Sequence, residues 1–387
     1  MENNKTPSIR FKGFIDPWEQ RKWIDTVDIS TEMVDPTSGE FDDMPHIAPG
    51  NIESFTGRIL DNVKSVKEEQ LISGKFRFRP GDVVYGKINP QLGKYFYASV
   101  DGLTSADAYV FNGKNGISQK FLFSLLQTAD FFKYSVSVSK RSGMPKINRD
   151  ELNAYSFLAP NAEEQNKIGD FLLELDHLIT LHQRKYDKLQ NIKKSMLEKM
   201  FPKNGSNVPE IRFSGFTDPW EQRKLGDVAQ YRNGKAHENC IDENGKYVVV
   251  NSKFVSTDGE VKKFSNMQNE ALFENEIAFV LSDVPNGRAI ARTYLIEKSD
   301  KYTLNQRIAG ITPLNETYPY FLYILMNRHP YFLAFDDGAK QTNLSVSDVM
   351  GFETYYPKYS EQQKIGAYFR NLDNLITLHQ RELEKLQ

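Results

Sequence analysis

Two polar loops carry the side chains with the clearest capacity for chemistry in this 387-residue chain. One is SVSKRSGMPKINRDEL, from Ser137 to Leu152, and the other is DDGAKQTNLSVSDV, from Asp336 to Val349. Lysine and arginine bind phosphate groups, while arginine, asparagine and glutamine form paired hydrogen bonds with base edges in the major groove of DNA. The two loops therefore predict contacts with a nucleic acid.

Three shorter loops repeat this chemistry: GKINPQLGK from Gly86, QYRNGKAH from Gln230 and DVPNGRAIAR from Asp283. A single polar loop with glycine is more often a simple turn, so the prediction depends on the recurrence of such loops in both halves of the chain. The candidate DNA-binding residues are Lys87, Gln91, Lys94, Lys140, Arg141, Lys146 and Arg149 in the first half, and Arg232, Asn233, Lys235, Asn286, Arg288, Lys340, Gln341, Thr342 and Asn343 in the second half.

The sequence shows none of the common catalytic motifs. It has no glycine-rich phosphate loop, dinucleotide fingerprint, nucleophile elbow or metalloprotease helix. The six histidines do not lie at metal-ligand spacings with cysteine or acidic residues. We therefore predict a binding and scaffolding protein, with no catalytic residue, metal or cofactor on this chain. An enzyme with an unrecognised site, such as a nuclease or methyltransferase, is the alternative.

The overall charge of the chain does not indicate a nucleic-acid partner, because 49 Lys and Arg residues face 51 Asp and Glu residues. Any contact with DNA must come from local patches. One such patch is the basic segment from Arg184 to Lys203, although a run of this kind is usually a solvated helix face. The sequence contains no apolar run of the roughly 18 residues that span a bilayer and no apolar core of a signal peptide, and its single cysteine cannot form an internal disulfide. We expect a cytoplasmic protein.

Two internal repeats determine the organisation of the chain. PSIRFKGFIDPWEQRK, from Pro7, returns as PEIRFSGFTDPWEQRK, from Pro209, with 13 of 16 positions identical. We call this the DPWEQRK motif. Asp16 and Asp218 look like helix caps, with proline at the next position, so the motif predicts the start of a helix near the longer helices. A second repeat joins residues 164–190 with 361–387, and LITLHQR is identical in both copies.

The second repeat has the periodicity of a coiled coil, because apolar residues alternate at steps of four and three. We call these positions the seam; they are Ile168, Leu172, Leu175, Ile179, His182 and Leu189 in the first copy, and Ile365, Phe369, Leu372, Ile376, His379, Leu383 and Leu386 in the second copy. The pattern predicts a first helix over 163–200 and an antiparallel pairing of the two helices. The alternative is that each helix packs only on its own globular domain. The second copy ends within its pattern, so we expect a distal helix that continues or is shorter.

Between the repeats lie globular stretches at 23–160 and 225–357, which share little alignable sequence. Segments such as RFRPGDVVYGKI, DAYVFNG, KYVVVNSKFV and RIAGITP favour strands and turns. QKFLFSLLQTADFFKYS and YPYFLYILMNRHPYFLAF favour helices. We predict a mixed α and β fold with two similar domains at 1–160 and 207–357, a central spacer helix at 161–206 and a distal spacer helix at 358–387.

The sequence closely resembles the specificity subunits of Type I restriction-modification systems over essentially its whole length. The resemblance depends on PEIRFSGFTDPWEQRKLGDV, RPGDVVYGKI and NLSVSDVMGFETYYPKYSEQQKIGAYFRNLDNLITLHQRELEKL together. One departure is that single prolines, Pro160 and Pro357, stand where the family often has two or three.

The resemblance implies a non-enzymatic subunit of a phage-defence system. Two target-recognition domains would each read one part of a split double-stranded DNA sequence, and the helices would set the gap. Two methylation subunits that bind S-adenosylmethionine, and two restriction subunits that use ATP and Mg²⁺, would be the partners. A protein-binding adaptor or inhibitor of the same architecture is the alternative.

Overall fold

The computed structural model describes residues 7–140, 143–203, 205–284 and 287–386. The chain forms two compact units, one of Met1–Arg184 with Glu382–Gln387 and one of Lys185–Arg381. The boundary between them falls inside a long helix. The predicted limits of the globular domains and spacer helices do not refer to these two compact units, and they stay a prediction.

The elements of the first half are, in chain order, β1 (Glu19–Lys22), α1 (Trp23–Thr26), β2 (Val27–Ile29), β3 (Met33–Val34), β4 (Pro45–His46), β5 (Lys64–Ser65), β6 (Lys75–Phe78), β7 (Val83–Gly86), β8 (Tyr95–Tyr97), β9 (Gly102–Thr104), β10 (Ala108–Gly113), α2 (Gln119–Leu126), α3 (Ala129–Val138), α4 (Arg149–Asn153), β11 (Ser156–Ala159) and α5 (Ala162–Lys199). Short 3-10 turns lie at Pro36–Ser38, Pro49–Asn51 and Pro90–Leu92.

The elements of the second half are β12 (Glu221–Lys224), α6 (Leu225–Val228), β13 (Ala229–Asn233), β14 (Tyr247–Val250), α7 (Ser252–Ser256), β15 (Phe264–Ser265), β16 (Ile277–Val280), β17 (Ser282–Asp283), β18 (Thr293–Leu295), β19 (Tyr302–Leu304), β20 (Ile308–Pro313), α8 (Pro319–Met326), α9 (Pro330–Leu333), β21 (Thr342–Asn343), α10 (Val346–Met350), β22 (Glu353–Tyr356) and α11 (Tyr359–Leu386). Within the described residues, no helix is long and apolar enough to cross a membrane.

A four-stranded antiparallel sheet forms the centre of each half. Its strand order is β2-β10-β7-β8 in the first half and β13-β20-β16-β18 in the second half. Smaller sheets flank it, β3-β6-β9-β4-β5 in one half and β15-β14-β19 in the other. The predicted mixed α and β fold is confirmed, and the two globular stretches share a central topology that their sequences do not reveal.

The main core of each half lies between this central sheet and the helices that follow it. In the first half, the fully buried Trp23 packs against Phe111 of β10 and Phe131 of α3, with ring centroids 5.0 and 5.6 Å away. In the second half, Phe279 of β16 packs 4.9 Å from Phe332 of α9. These apolar contacts fix the sheet on which the polar loops are carried.

The DPWEQRK motif does not start a helix, so this prediction was wrong. Its EQRK residues form strands β1 and β12, which pair antiparallel with β11 and β22, the strands directly before the long helices. Only the four residues after each strand make a helical turn. The capping signal is local, and backbone pairing with a distant strand overrides it. Asp218 forms an ion pair with Lys358 at 2.6 Å, at the start of α11.

A second correction concerns KYVVVNSKFV, which the sequence assigns to strands and turns but which also contains the start of a helix. The strand ends at Val250 because the side chain of Asn251 accepts a hydrogen bond from the backbone N–H of Phe254 at 2.9 Å and caps helix α7. Asparagine is a favoured helix cap, so the polar residue in the middle of the segment marks the boundary.

A bidentate ion pair joins the N-terminal part of each repeat to its long helix. Arg10 donates to Glu164 at 2.6 and 2.7 Å, and Arg212 donates to Glu361 at 2.7 and 2.7 Å. The side chains of Glu164 and Glu361 are 0% and 1% exposed. Since a buried carboxylate needs a partner, the pair fixes the DPWEQRK motif beside the helix, as the sequence analysis expected.

The repeated Glu-Gln pair also fixes how each helix leaves its globular stretch. The side-chain amide of Gln165 donates to the carbonyl oxygen of Pro160 at 2.8 Å, and Gln362 donates to that of Pro357 at 2.9 Å. Their side-chain oxygens accept hydrogen bonds from the backbone N–H before α2 and α8. The same contacts thus orient α5 and α11.

Every predicted seam residue of α11 and α5 is buried or half-buried. In the second unit the two helices pack antiparallel, because Lys193 contacts Asp373 at 2.6 Å while Phe201 packs 6.2 Å from Phe369. Phe369 also belongs to the core of the second globular stretch, so α11 packs both on this core and on α5.

Asp176 of α5 and Asp373 of α11 are equivalent positions of the helical repeat with different surroundings. Asp373 contacts Lys193 and accepts a hydrogen bond from the Tyr320 hydroxyl at 2.6 Å. Asp176 Oδ2 is buried and has no hydrogen-bond partner among the described residues. Burial raises the pKa of Asp176, and the neighbouring amide of Gln127 opposes this shift. The ionised form of Asp176 therefore destabilises the native state.

We expect Asp176→Asn to increase the free energy of unfolding by about 1 kcal/mol at pH 7. The folded-state pKa is raised, so stability falls as the pH rises from the unfolded to the folded pKa. The stabilisation by Asp176→Asn is therefore full at pH values above the folded-state pKa and absent below the unfolded-state pKa. Urea denaturation at several acidic pH values measures it. The matched change Asp373→Asn removes an ion pair and should cost about 1–2 kcal/mol at pH 7. Changes of the same sign in the two variants would contradict this account.

Candidate nucleic-acid interface

One backbone hydrogen bond joins two of the predicted loops in the first half. The backbone N–H of Ile147 donates to the carbonyl oxygen of Lys87 at 3.0 Å, and Ile88 forms a β-bridge with Lys146. The first loop follows the buried central strand β7, and the second precedes the short helix α4. A strand that is fixed in the core therefore holds both loops at one edge of the sheet.

The second half repeats this arrangement at the equivalent place. The backbone N–H of Leu344 donates to the carbonyl oxygen of Leu281 at 2.8 Å, and Ser282 pairs with Asn343 in the β17–β21 pair. We call these segments the bridged loops: residues 87–93 and 140–148 in the first half, and 281–290 and 336–345 in the second half. The sequence predicts each loop separately, but it gives no sign that they meet.

A third segment, the turn before the central strand β10 or β20, lies beside the bridged loops. The backbone N–H of Lys87 donates to the carbonyl oxygen of Asp107 at 2.9 Å, and the backbone N–H of Leu281 donates to the carbonyl oxygen of Arg307 at 3.1 Å. Arg307 is exposed, and the sequence analysis missed it. Arg307 is identified because its carbonyl oxygen accepts the same hydrogen bond in the second half that Asp107 accepts in the first half.

Three cations, Lys87, Lys146 and Arg149, lie in or directly after the bridged loops of the first half. Lys87 Nζ lies 5.1 Å from the centre of the Tyr109 ring, and the guanidinium of Arg149 lies 5.6 Å from it. Burial lowers the pKa of Lys87, Asp107 opposes this, and the charges of Lys146 and Arg149 lower the pKa further. An anion such as a DNA phosphate would relieve this repulsion.

The other first-half candidates divide into exposed and anchored side chains. Lys140 and Gln91 are exposed, and Gln91 donates to Asn89 Oδ1 at 3.2 Å. Lys94 donates to the carbonyl oxygen of Ile52, so it points into the domain. Arg149 donates to the carbonyl oxygens at positions 29 and 30, both at 3.1 Å. Arg141 lies outside the described residues.

In the second half, the bridged loops present Arg288, Lys340, Gln341 and Asn343 as exposed side chains. Thr342 points inward and is 7% exposed, and its hydroxyl donates to Asp336 at 3.0 Å. Asn286 lies outside the described residues. The exposed side chains thus alternate with a buried one along β21, as expected for a strand.

The carboxylates of the second-half bridged loops are used by the backbone. Asp283 Oδ2 accepts hydrogen bonds from the N–H groups of Ala289 at 2.6 Å and Ile290 at 3.1 Å. Asp337 accepts from two N–H groups of its own turn, which lowers the pKa of its carboxyl group. These acids shape the loops, and the basic and amide side chains face outward.

The QYRNGKAH loop is largely neutralised within the protein. Arg232 donates to Glu270 and Glu276, both at 2.5 Å, and Lys235 contacts Glu270 at 2.9 Å. Asn233 Oδ1 accepts a hydrogen bond from the Tyr231 hydroxyl at 2.8 Å. The following Gly234 donates to the carbonyl oxygen at position 308 at 3.1 Å, so this loop lies beside the turn that carries Arg307.

Comparison with known proteins assigns the family. A family model for the "Type I restriction modification DNA specificity domain" matches residues 16–191 and 217–387. The EcoDI specificity subunit of Escherichia coli is 31% identical over 168 residues, which are 43% of this chain and 36% of that protein. The putative MjaX specificity subunit of Methanocaldococcus jannaschii is 24% identical over 352 residues, 85% of this chain and 79% of that protein.

A solved structure has the same fold. It is the crystal structure of a Type I restriction-modification S subunit from M. genitalium, with a TM-score of 0.67 and 16% sequence identity, and the match covers 98% of this chain and 96% of that chain. The family match covers both halves of the duplicated sequence. The chain therefore belongs to the specificity subunits of Type I restriction-modification systems, the non-catalytic subunits for DNA target recognition, and it carries one specificity domain in each half.

Proposed function

We propose that this chain reads a bipartite double-stranded DNA target, with one part bound by the bridged loops of each half. The observation that supports this most is the shared backbone hydrogen bond, Ile147 to Lys87 and Leu344 to Leu281. It fixes equivalent loops at equivalent places, while the side chains differ: Lys146 in one half corresponds to Asn343 in the other. Two different sequences read by one repeated scaffold require this combination.

The proposed DNA contacts of the first half are the half-buried Lys87 and the exposed Gln91, Lys140 and Lys146. Those of the second half are the exposed Arg288, Arg307, Lys340, Gln341 and Asn343. Arg141 and Asn286 belong to the same loops by sequence. Lys94, Arg149 and Arg232 are bound to carbonyl or carboxylate groups of the protein, and we assign them to shaping the loops. Asn233 and Lys235 would contact the DNA backbone beside the second part of the target.

The long helices would set the gap between the two parts of the target. Helix α5 has 38 residues, which corresponds to about 57 Å at 1.5 Å per residue. This exceeds one turn of duplex DNA, about 34–36 Å, so two readers on such a spacer can use successive major grooves.

The proposed partners are two methylation subunits and two restriction subunits in a cytoplasmic complex. The DPWEQRK motif and its ion pair to the helix occur in both halves with the same geometry, which offers two equivalent surfaces to two copies of a partner. S-adenosylmethionine would be bound by the methylation subunits, and ATP and Mg²⁺ by the restriction subunits.

Exchange of one globular stretch tests the proposal. Replacing residues 23–160 with the corresponding stretch of another specificity subunit should change one part of the methylated sequence and leave the other part intact, as measured by methylome sequencing. An insertion in α5 near Ile192 is the matched variant, and it should change only the gap. If the chain were instead a protein-binding adaptor, cells carrying the parental chain or either variant would show no sequence-specific DNA methylation that depends on it.

A further inference from the structure

We propose that Gln341 and Asn343 together read an adenine in the second part of the target, through the major groove. This inference rests on the proposed function, and it adds the identity of one base. It follows from the hydrogen bonds within the second-half bridged loops, which leave a specific pair of polar atoms unused.

The two amides are fixed to each other and to the domain. Gln341 and Asn343 are exposed on the same face of the chain, because Thr342 between them points inward. Gln341 Nε2 donates to Ser282 Oγ at 2.8 Å and to Asn343 Oδ1 at 3.3 Å. Ser282 is 6% exposed and lies on β17, which pairs with β21. The pair of amides is therefore preorganised on a rigid support.

This network leaves one acceptor and one donor. Within the described part of the chain, Gln341 Oε1 and Asn343 Nδ2 have no hydrogen-bond partner. The result does not depend on which amide donates to the other, because in either orientation one of them keeps a carbonyl oxygen and the other keeps an NH₂ group. The two hydrogen-bonded amides thus always keep one free carbonyl oxygen and one free NH₂ group between them.

Among the four single bases, adenine alone presents both a donor and an acceptor on its own major-groove edge. Adenine presents the N6 donor beside the N7 acceptor, whereas guanine presents two acceptors. Cytosine offers only a donor, and thymine offers an acceptor and a methyl group. Against guanine, the amide oxygen would face a second acceptor and lose its hydrogen bond to water without replacement, which costs free energy.

The first half lacks this pair at the equivalent positions. Counting back from the helix-capping residues Asn148 and Ser345, Asn343 corresponds to Lys146 and Gln341 corresponds to Met144. A lysine offers donors only, and a methionine offers no amide. The adenine-reading pair is therefore a property of the second half alone.

The experiment determines base preferences with the chain assembled with its methylation subunits. Bound duplexes are selected from a randomised pool, first with the parental chain and then with Gln341→Ala, Asn343→Ala and the double variant. We expect an adenine in the second part of the parental target. Each variant should reduce the preference for it by roughly 5- to 100-fold. The remaining positions should keep their preference, and Lys146→Ala should affect only the first part.

Two results would overturn the inference: a second part without adenine, or a double variant that melts like the parental chain and keeps every base preference. In either case, a separate control replaces residues 225–357 with the corresponding stretch of another specificity subunit. If this exchange still changes the second part, the proposed function stands and only the adenine assignment fails. If it changes nothing, the proposed function fails.

Discussion

Replacing Arg212 with alanine is expected to lower the free energy of unfolding of the second unit by about 3 kcal/mol. The change would leave the carboxylate of Glu361, which is 1% exposed, buried without its two hydrogen bonds. Removing one partner of a buried ion pair is costly because the remaining charge keeps its desolvation penalty. Urea denaturation followed by tryptophan fluorescence measures the effect, since Trp220 lies in this unit.

Arg223→Ala is the matched control for Arg212→Ala. Arg223 contacts Glu221 at 2.6 Å, but Glu221 is 70% exposed, so the loss should be about 1 kcal/mol or less. A loss of similar size in both variants would show that the Arg212–Glu361 pair is not the attachment of the motif to the helix. Arg10→Ala should destabilise the first unit in the same way, because Glu164 is equally buried.

The double variant Lys87→Glu and Lys146→Glu is expected to weaken binding to the target duplex by at least about 100-fold at low salt, because two phosphate contacts become repulsive. The slope of log affinity against log salt should fall by about two, one for each lost phosphate contact. Fluorescence anisotropy with a labelled duplex, at several salt concentrations, gives both values.

The control for this experiment carries the same charge change on another surface. Lys298 and Lys301 are exposed on the turn between β18 and β19. Their conversion to glutamate should change the affinity only through the net charge, with an unchanged salt slope. Equal losses in the two double variants would show that the first-half bridged loops are not a specific phosphate contact.

The two long helices could be predicted from the sequence because their apolar pattern repeats over many turns. Features that depend on partners distant in the sequence could not be predicted. The predicted seam positions are buried or half-buried because one apolar stripe determines the buried face of α5 and α11 over many turns. The DPWEQRK motif has every local sign of a helix start. It forms a strand because β11 and β22, about 130 to 140 residues later, supply the hydrogen bonds.

The candidate site shows the same limit. Arg232 has the sequence context of a DNA-binding residue, yet Glu270 and Glu276 neutralise it, and no local pattern links these three residues. Arg307 was missed because it sits in an ordinary turn before a strand. The bridged loops were each predicted, but their meeting depends on one hydrogen bond between segments that are about 60 residues apart, such as Lys87 and Ile147.

The central claim is that the two halves are equivalent readers carried by one repeated scaffold. It is tested most directly by a chain in which residues 225–357 also replace residues 23–160, so that both halves carry the same bridged loops. Methylome sequencing of cells with this chain and its methylation subunits should find a bipartite target whose two parts are identical and lie on opposite strands. An unchanged target, or a target with only one defined part, would contradict the account.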